Sequence, residues 1–211
     1  MIDTHCHLTA KALRDRVPDV LDRARAAGVS DVITVATTAD DAAAARDLAH
    51  AHRGVWCTSG IHPLYADEPE ETAPDWDLLL DVAGDPRCVA WGELGLDNHY
   101  EQPARSRQDD LLEQQLAFIE THDDRFPGRA IIVHCREAFD DLIPVFAASH
   151  LAPERFVFHC FSGNPDELRR VLDFGAHVSF TGVVTFKGAP EVTESARLIP
   201  LERCLVETDA P

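Results

Sequence analysis

Short apolar runs recur along the chain, separated by longer stretches in which apolar and polar positions follow helical spacing. The runs lie at Met1–His5, Asp31–Ala36, Val55–Ser59, Cys88–Glu93, Ala130–His134, Arg155–Cys160, His177–Thr181 and Cys204–Glu207. Most are continuously or nearly continuously apolar, the pattern of parallel strands buried on both faces. Between them, Val17–Ala27 carries an Ala/Leu/Val stripe among Arg and Asp, and Pro103–Thr121 sets Leu111, Leu112, Leu116 and Ile119 against acids and Gln. Pro165–Phe174 is opened by Asn164 as a cap, with Pro at the first helical position. Strands alternating with helices predict an α/β fold, a (β/α)8 barrel of the TIM type rather than an open doubly wound sheet. No Gly-rich dinucleotide fingerprint or phosphate loop follows the first strand. With no linker, repeat array or low-complexity stretch, residues 1–211 read as one barrel domain. The sequence stops at Pro211, directly after the eighth strand. The expectation is a barrel lacking the eighth helix, with an apolar outer strand face for a partner to cover.

Composition narrows the class. Hydrophobic residues make up 45% and charged residues 27%, so the chain can bury a substantial core and is not a disordered segment. No apolar stretch approaches the ~18 residues needed to span a bilayer. The N-terminus begins a strand at once, without a basic or apolar leader, and a cytoplasmic protein with no membrane association is expected. The formal charge of −18 argues against capture of nucleic acid by a broad basic face. It leaves a nucleic-acid substrate open, because bound divalent metals would supply positive charge locally. Between Gly54 and Pro86 the charged residues are all acidic (Asp67, Glu68, Glu70, Glu71, Asp75, Asp77, Asp81, Asp85), which predicts a solvated acidic surface. Cysteine spacing gives no C-x-x-C pair. Cys6, Cys135 and Cys160 each follow a candidate ligand His, and strand alternation would turn them toward the helices as buried, reduced thiols.

Candidate chemistry sits at the ends of the strands. His5 and His7, two apart on a strand, face the same way near its C-terminal end, where barrel active sites assemble. Imidazoles at this spacing suit Zn²⁺, Mn²⁺ or Fe better than Mg²⁺, and Asp3 on the same face is a candidate to orient them. Glu93 ends an apolar strand, where a carboxylate is costly to bury unless it is paired with an Arg or bound to metal; between two metals it would give one oxygen to each. His134 and His159 end the strongly apolar runs Ala-Ile-Ile-Val-His and Arg-Phe-Val-Phe-His. Asp209 closes the eighth strand beside the first, as a third ligand for the His5–His7 metal or as general base for its water. Arg136 would clamp phosphate oxygens or pair with Glu137 or a strand-end carboxylate.

The order of these motifs resembles that of the TatD-related metal-dependent deoxyribonucleases, within the amidohydrolase-like set of metal-binding barrels. The matching segments are Asp3-x-His5-x-His7, Gly60-Ile-His62-Pro63, Gly92-Glu93-Leu-Gly95-Leu-Asp97, His134-x-Arg136, His159-x-Phe-Ser-Gly163 and Glu207-Thr-Asp209-Ala-Pro211, which together span essentially the whole chain. The resemblance implies a (β/α)8 barrel that hydrolyses phosphodiesters, often from the 3′ end of single-stranded DNA, with two divalent metal ions (Mg²⁺, Mn²⁺ or Zn²⁺). It implies His5, His7, Glu93 and Asp209 around one metal, Glu93, His134 and His159 around the second, and His62 near the scissile phosphate. Catalysis would rest on Glu93 as bridge and Asp209 as proton acceptor. The usual Gly-Leu-Asp-Tyr run reads Gly95-Leu96-Asp97-Asn98-His99-Tyr100 here, so the loop after the fourth strand differs.

Two other readings compete. A hydrolase of small amides, lactones or cyclic ureas would share the barrel and the H-x-H ligands, but such barrels commonly bridge their metals with a modified Lys where this chain has Glu93. A metal-binding but inactive interaction protein is motivated by the missing eighth helix, and the complete ligand set argues against it.

Overall fold

The computed structural model describes residues 1–67 and 74–211. Eight strands form a single parallel sheet in sequential order: β1 (Ile2–Cys6), β2 (Asp31–Thr34), β3 (Val55–Ser59), β4 (Cys88–Asp97), β5 (Ala130–Arg136), β6 (Phe156–Phe158), β7 (His177–Phe180) and β8 (Cys204–Val206). The connections carry α1 (Val17–Ala26), α2 (Ala39–Ala51), α3 (Trp76–Ala83), α4 (Arg105–Thr121), α5 (Phe139–Ala148), α6 (Pro165–Phe174) and α7 (Pro190–Leu198). Strands feeding helices that return to the next parallel strand wrap the sheet into a barrel.

The backbone bonds that close the barrel come from the segment beyond β8, and β8 itself meets β1 through the Thr4 hydroxyl, which donates to Val206 O at 3.1 Å. The Asp209 N–H donates to His5 O at 2.9 Å, the His7 N–H donates to Ala210 O at 2.7 Å, and Cys6 bridges Ala210 in parallel. Asp3 fixes the same seam, accepting from the Thr208 N–H at 2.9 Å and the Thr208 hydroxyl at 2.6 Å. Asp3 therefore acts on the segment carrying Asp209 rather than on the imidazoles.

The core is divided between the layer of helices and the barrel wall. Trp91, Leu94 and Leu96 of β4 join Ile131, Val133, Phe156 and Phe158 against α4–α6, while Val32, Val55 and Cys57 pack on α1–α3. Fully burying a Leu or Phe side chain contributes roughly 1.5–3 kcal/mol, and these clusters are where most of that burial lies. Asn164 caps α6 as expected. Its side chain accepts from the Asp166 and Glu167 N–H groups at 2.9 and 3.0 Å, and Glu167 returns a bond from the Asn164 N–H.

Apolar side chains on β1 and β8 stay open to solvent, Ile2 at 51% and Val206 at 47% exposed, and so do Leu198 and Leu201 on the approach to β8. In the acidic stretch Asp75, Asp77 and Asp81 are exposed as expected, and several of its acids also pair across the surface. Asp81 pairs with Arg46 (2.6 Å), Asp85 with His50 (2.8 Å) and Asp67 with Arg107 (3.0 Å), while Asp75 caps α3. Basic groups on α2 and α4, distant in sequence, reach across to it. Glu68, Glu70 and Glu71 lie outside the described residues. No helix among the described residues is long and apolar enough to cross a membrane.

Candidate metal centre

Local irregularities aim the chemical groups inward. Along β1, three residue steps from Asp3 to Cys6 oppose two on β2, and along β4, three steps from Trp91 to Leu94 oppose two on β5. Such bulges turn a strand locally and re-aim a side chain. The β4 bulge contains Glu93, which is 1% exposed, and leaves Trp91 and Leu94 on the helix side. Gly95 lets β4 pass hard against β5: a Cβ there would stand 1.9 Å from His134 O. The glycine is thus needed to keep His134 beside Glu93.

Glu93 divides the imidazoles between its two oxygens. Oε1 lies 2.9 Å from His134 Nδ1 and 2.7 Å from His159 Nε2; Oε2 lies 3.4 Å from His5 Nε2 and 3.9 Å from His7 Nε2. Asp209 Oδ1 joins the second group, 3.6 Å from His7 Nε2 and 3.8 Å from His5 Nε2. The His5 and His159 rings stack at 3.8 Å, so the two groups are contiguous.

Hydrogen bonds on the far side of the His7 and His134 rings set their tautomers. His7 Nδ1 donates to Val35 O at 2.9 Å, which leaves the Nε2 lone pair facing the centre. His134 Nε2 donates to Asp97 Oδ2 at 2.9 Å, leaving Nδ1 toward Glu93. His159 Nδ1 stands 3.4 Å from Glu207 Oε1, near enough for ion pairing but not aligned for a hydrogen bond. His62 has the opposite polarity. Its Nδ1 accepts from the Leu64 N–H at 3.0 Å, so the neutral ring carries its proton on Nε2, which points toward His134 (3.1 Å) and Glu93 (3.5 Å). His62 offers the site a donor rather than a lone pair.

The donor set fits divalent cations. His5 and His7 bring their Nε2 atoms within 3.2 Å of each other beside Glu93 Oε2, a buried carboxylate oxygen without a hydrogen-bond partner. Two imidazole nitrogens at this separation beside an orphaned carboxylate oxygen are costly to bury unless a cation lies among them. The groups His5–His7–Glu93, His5–His159–Asp209 and His62–Glu93–His134 each bring candidate ligand atoms within 4.8 Å of one another; the tautomer of His62 removes the third as a three-ligand set.

Electrostatics tell the same story. Burial opposes ionisation of Glu93, but His159, His62 and His5 outweigh it and hold the carboxyl well below its ordinary range. Burial likewise opposes charge on His159, where Glu93 and Glu207 raise the imidazole well above its usual value. Burial dominates at His5, which is lowered, and at His62, which is pushed down to about 4. For Asp209, burial is outweighed by the His7 hydrogen bond and by His159 and His5, so the carboxylate stays ionised. Ionised carboxylates are the forms a metal selects, whereas at His7, His134 and His159 the neighbouring carboxylates outweigh burial and favour protonated rings, whose protons a bound cation would displace.

His5, His7, His62, Glu93, His134, His159 and Asp209 come together at this mouth. Arg136 ends β5, two positions past His134, but is exposed and has no carboxylate within 4 Å among the described residues. Neither Glu137 nor a strand-end acid pairs with it. Asn98 and His99, the altered part of the loop, tie it to α5 instead: Asn98 Nδ2 donates to Glu137 O (2.8 Å) and Asp141 Oδ2 (3.0 Å), and His99 meets Glu137 at 3.3 Å. Cys6 and Cys135 are buried against the helices, and burial pushes the Cys135 thiol up to about 12. Cys160 departs from the alternation argument because β6 ends at Phe158. Its φ of 42° instead turns its N–H onto Glu207 Oε1 at 2.6 Å.

Sequence reasoning missed the supports. Asp97 and Glu207 stand out only as motif letters, yet Asp97 accepts from the outer nitrogen of His134 and Glu207 lies within ion-pairing distance of that of His159. Gln108 and Gln115 were assigned to the polar face of α4, but both are buried, 1% and 3% exposed. Gln108 accepts from the Asp97 N–H (2.8 Å) and donates to Asp97 O (3.0 Å); Gln115 accepts from the Ile61 N–H (2.8 Å) and donates to Ile61 O (2.9 Å). Their spacing of seven puts both on one helix face, which was the available signal.

Comparison with known proteins agrees with this geometry. The family model described as TatD related DNase matches residues 2–211. An uncharacterized metal-dependent hydrolase, YcfH of Escherichia coli (strain K12), is 33% identical over all of this chain and 77% of its own. The 3′-5′ ssDNA/RNA exonuclease TatD of Pantoea ananatis is 34% identical over all of this chain and 79% of its own. The crystal structure of YJJV, a TatD homolog from Escherichia coli K12, superposes with a TM-score of 0.85 at 30% identity, covering the whole chain and 79% of that structure. A strand-end cluster of imidazoles shared around one buried carboxylate thus belongs to an enzyme of known lineage: the chain is a member of the TatD-related DNase family of metal-dependent hydrolases.

Proposed function

We propose that this hydrolase cleaves phosphodiesters from the 3′ end of single-stranded DNA, with two divalent cations held in the centre. One would be held by His5, His7, Glu93 and Asp209, the other by Glu93, His134 and His159. The observation that carries the reading is Glu93, an unmodified carboxylate whose two oxygens face separate imidazole groups. When bound, a metal pair lowers the pKa of a water and draws charge from a phosphoryl oxygen. Asp209, ionised and half exposed at the mouth, accepts the proton that the attacking water loses. His62 donates its Nε2–H to a phosphoryl oxygen, and the unpaired Arg136 guanidinium meets a neighbouring phosphate in two parallel bonds. The relative named as a 3′-5′ exonuclease supports the polarity.

The test is to incubate metal-reconstituted protein with 5′-labelled single-stranded DNA and, separately, with a panel of small amides and lactones. A ladder shortening from the 3′ end is expected. Turnover of the small substrates with no DNA ladder would replace this reading with the amidohydrolase one. For the exposed Ile2 on β1 and Val206 on β8 we propose a covering partner surface; sedimentation across a concentration series tests self-association, and a single concentration-independent species removes a second copy as the occupant.

A further inference from the structure

At the opposite end of the barrel, where β2, β3 and β4 begin, lies an open pocket of about 1020 Å³. Its rim carries Arg25, Arg53 and Arg87, and its wall includes Trp56 and Asp31. In a chain of net charge −18, three guanidiniums around one cavity with a single carboxylate stand out. Arg25 is committed: it pairs with Asp22 at 3.1 Å and donates to Arg53 O at 3.0 Å. Arg53 and Arg87 have no carboxylate within 4 Å among the described residues, and Arg87 lies over the Trp56 ring at 5.1 Å. Asp31 is also committed. It accepts from Trp56 Nε1 at 3.1 Å and so fixes the indole, and its single negative charge, which Arg53 feels, leaves the recess with a net positive charge. The pocket is thus a cationic recess with a rigid aromatic wall, separate from the metal centre by the length of the strands.

We propose that this recess binds a phosphate monoester, with Arg53 and Arg87 meeting its oxygens and Trp56 alongside whatever the phosphate is attached to. Planar guanidiniums match phosphate geometry in two parallel bonds, and an indole offers a stacking face to a base. The site stands independently of the reading of the metal centre.

Metal-loaded protein is titrated by calorimetry with inorganic phosphate, with deoxyadenosine 5′-monophosphate and with deoxyadenosine. The same titrations are run on R53Q, R87Q and the double variant, with metal content and thermal midpoint checking that fold and centre are intact. The expected result is a phosphate-dependent binding event that weakens by ~10-fold or more for each guanidinium removed and falls with salt. Tighter binding of the nucleotide than of phosphate, lost in W56F, identifies the ligand as a nucleotide; equal binding identifies phosphate alone. Unchanged titrations in the double variant, or deoxyadenosine binding as tightly as the nucleotide, would overturn the proposal.

Discussion

Replacing Gln115 with Met keeps the volume of the side chain and removes both of its polar contacts. The Ile61 N–H and C=O, now bonded at 2.8 and 2.9 Å, would then be buried without partners, since Ile61 is 3% exposed. Each orphaned buried group costs about 1–3 kcal/mol, so the pair sets a range of about 2–6 kcal/mol before relaxation. Partial rescue by water or backbone movement brings the expectation to about 3 kcal/mol, which for a chain of this length lowers Tm by roughly 6–12 °C. A second effect follows from position. Ile61 precedes His62, and a misplacement of about 1 Å in a substrate-facing group can cost ~100-fold in rate. Q115M is therefore expected to melt earlier and to lose kcat while retaining its metal, because none of the proposed ligands is touched. Q108M separates the two effects: it frees Asp97, which orients His134, so metal affinity should fall first. Thermal melts, bound metal by elemental analysis and turnover on single-stranded DNA measure the three quantities. A Q115M protein with wild-type Tm and wild-type kcat would refute the clamp.

The other expectations concern separate links. D97N and E207Q should each weaken metal binding by ~10–100-fold, the usual loss when a partner behind a ligating imidazole is removed; chelator competition reads it, and unchanged affinity removes these carboxylates from the centre. D209N should lower kcat far more than it raises KM, and an undiminished kcat ends its assignment as proton acceptor. N164A deletes the α6 cap and should cost about 1 kcal/mol, seen as a shifted urea midpoint with full activity. Asp141 is held below its ordinary value chiefly by Arg105, and also by Asn98. Its contribution is present above the unfolded carboxylate range and is lost as pH falls through the lower folded value. Because the pair is 40% exposed on each side, the loss should be only about 0.5 kcal/mol, measured as a difference between wild type and D141N that closes below about pH 4.

The barrel was legible because parallel strands buried on both faces leave uninterrupted apolar runs. β3 and α6 match their expected bounds, and the other strands shift by a few residues at their ends. β4 and β5 run further than expected, to Asp97 and Arg136, because Leu94–Asp97 and Val133–Arg136 continue to pair beyond the bulge. β6 is shorter because Cys160 takes a left-handed turn. α2, α3, α5 and α7 were not singled out. In α2 the buried face is Ala42, Ala45 and Ala49 among further alanines, so there is little contrast between faces to read.

Site residues divide along the same line. A polar residue ending an apolar run contradicts its surroundings, and that contradiction exposes Glu93, His134 and His159, while His5 and His7 show through their spacing and Asp209 through closure of the barrel beside them. Gln108 and Gln115 contradict nothing, since glutamine is an ordinary residue for a helix surface; only the contacts reveal that they face inward. Their role also explains why α4 can be the longest helix and still expose so much charge. It contributes apolar packing through Leu111, Leu112, Leu116 and Ile119, and two amide side chains that do for loop backbone what a strand neighbour would do. The segment after β3 and the end of β4 leave the sheet ladder where the chemistry is, so their backbone groups need partners from elsewhere. A helix face that alternates leucine with buried glutamine supplies them, and it couples the geometry of His62 to that of the Asp97–His134 pair through one rigid element.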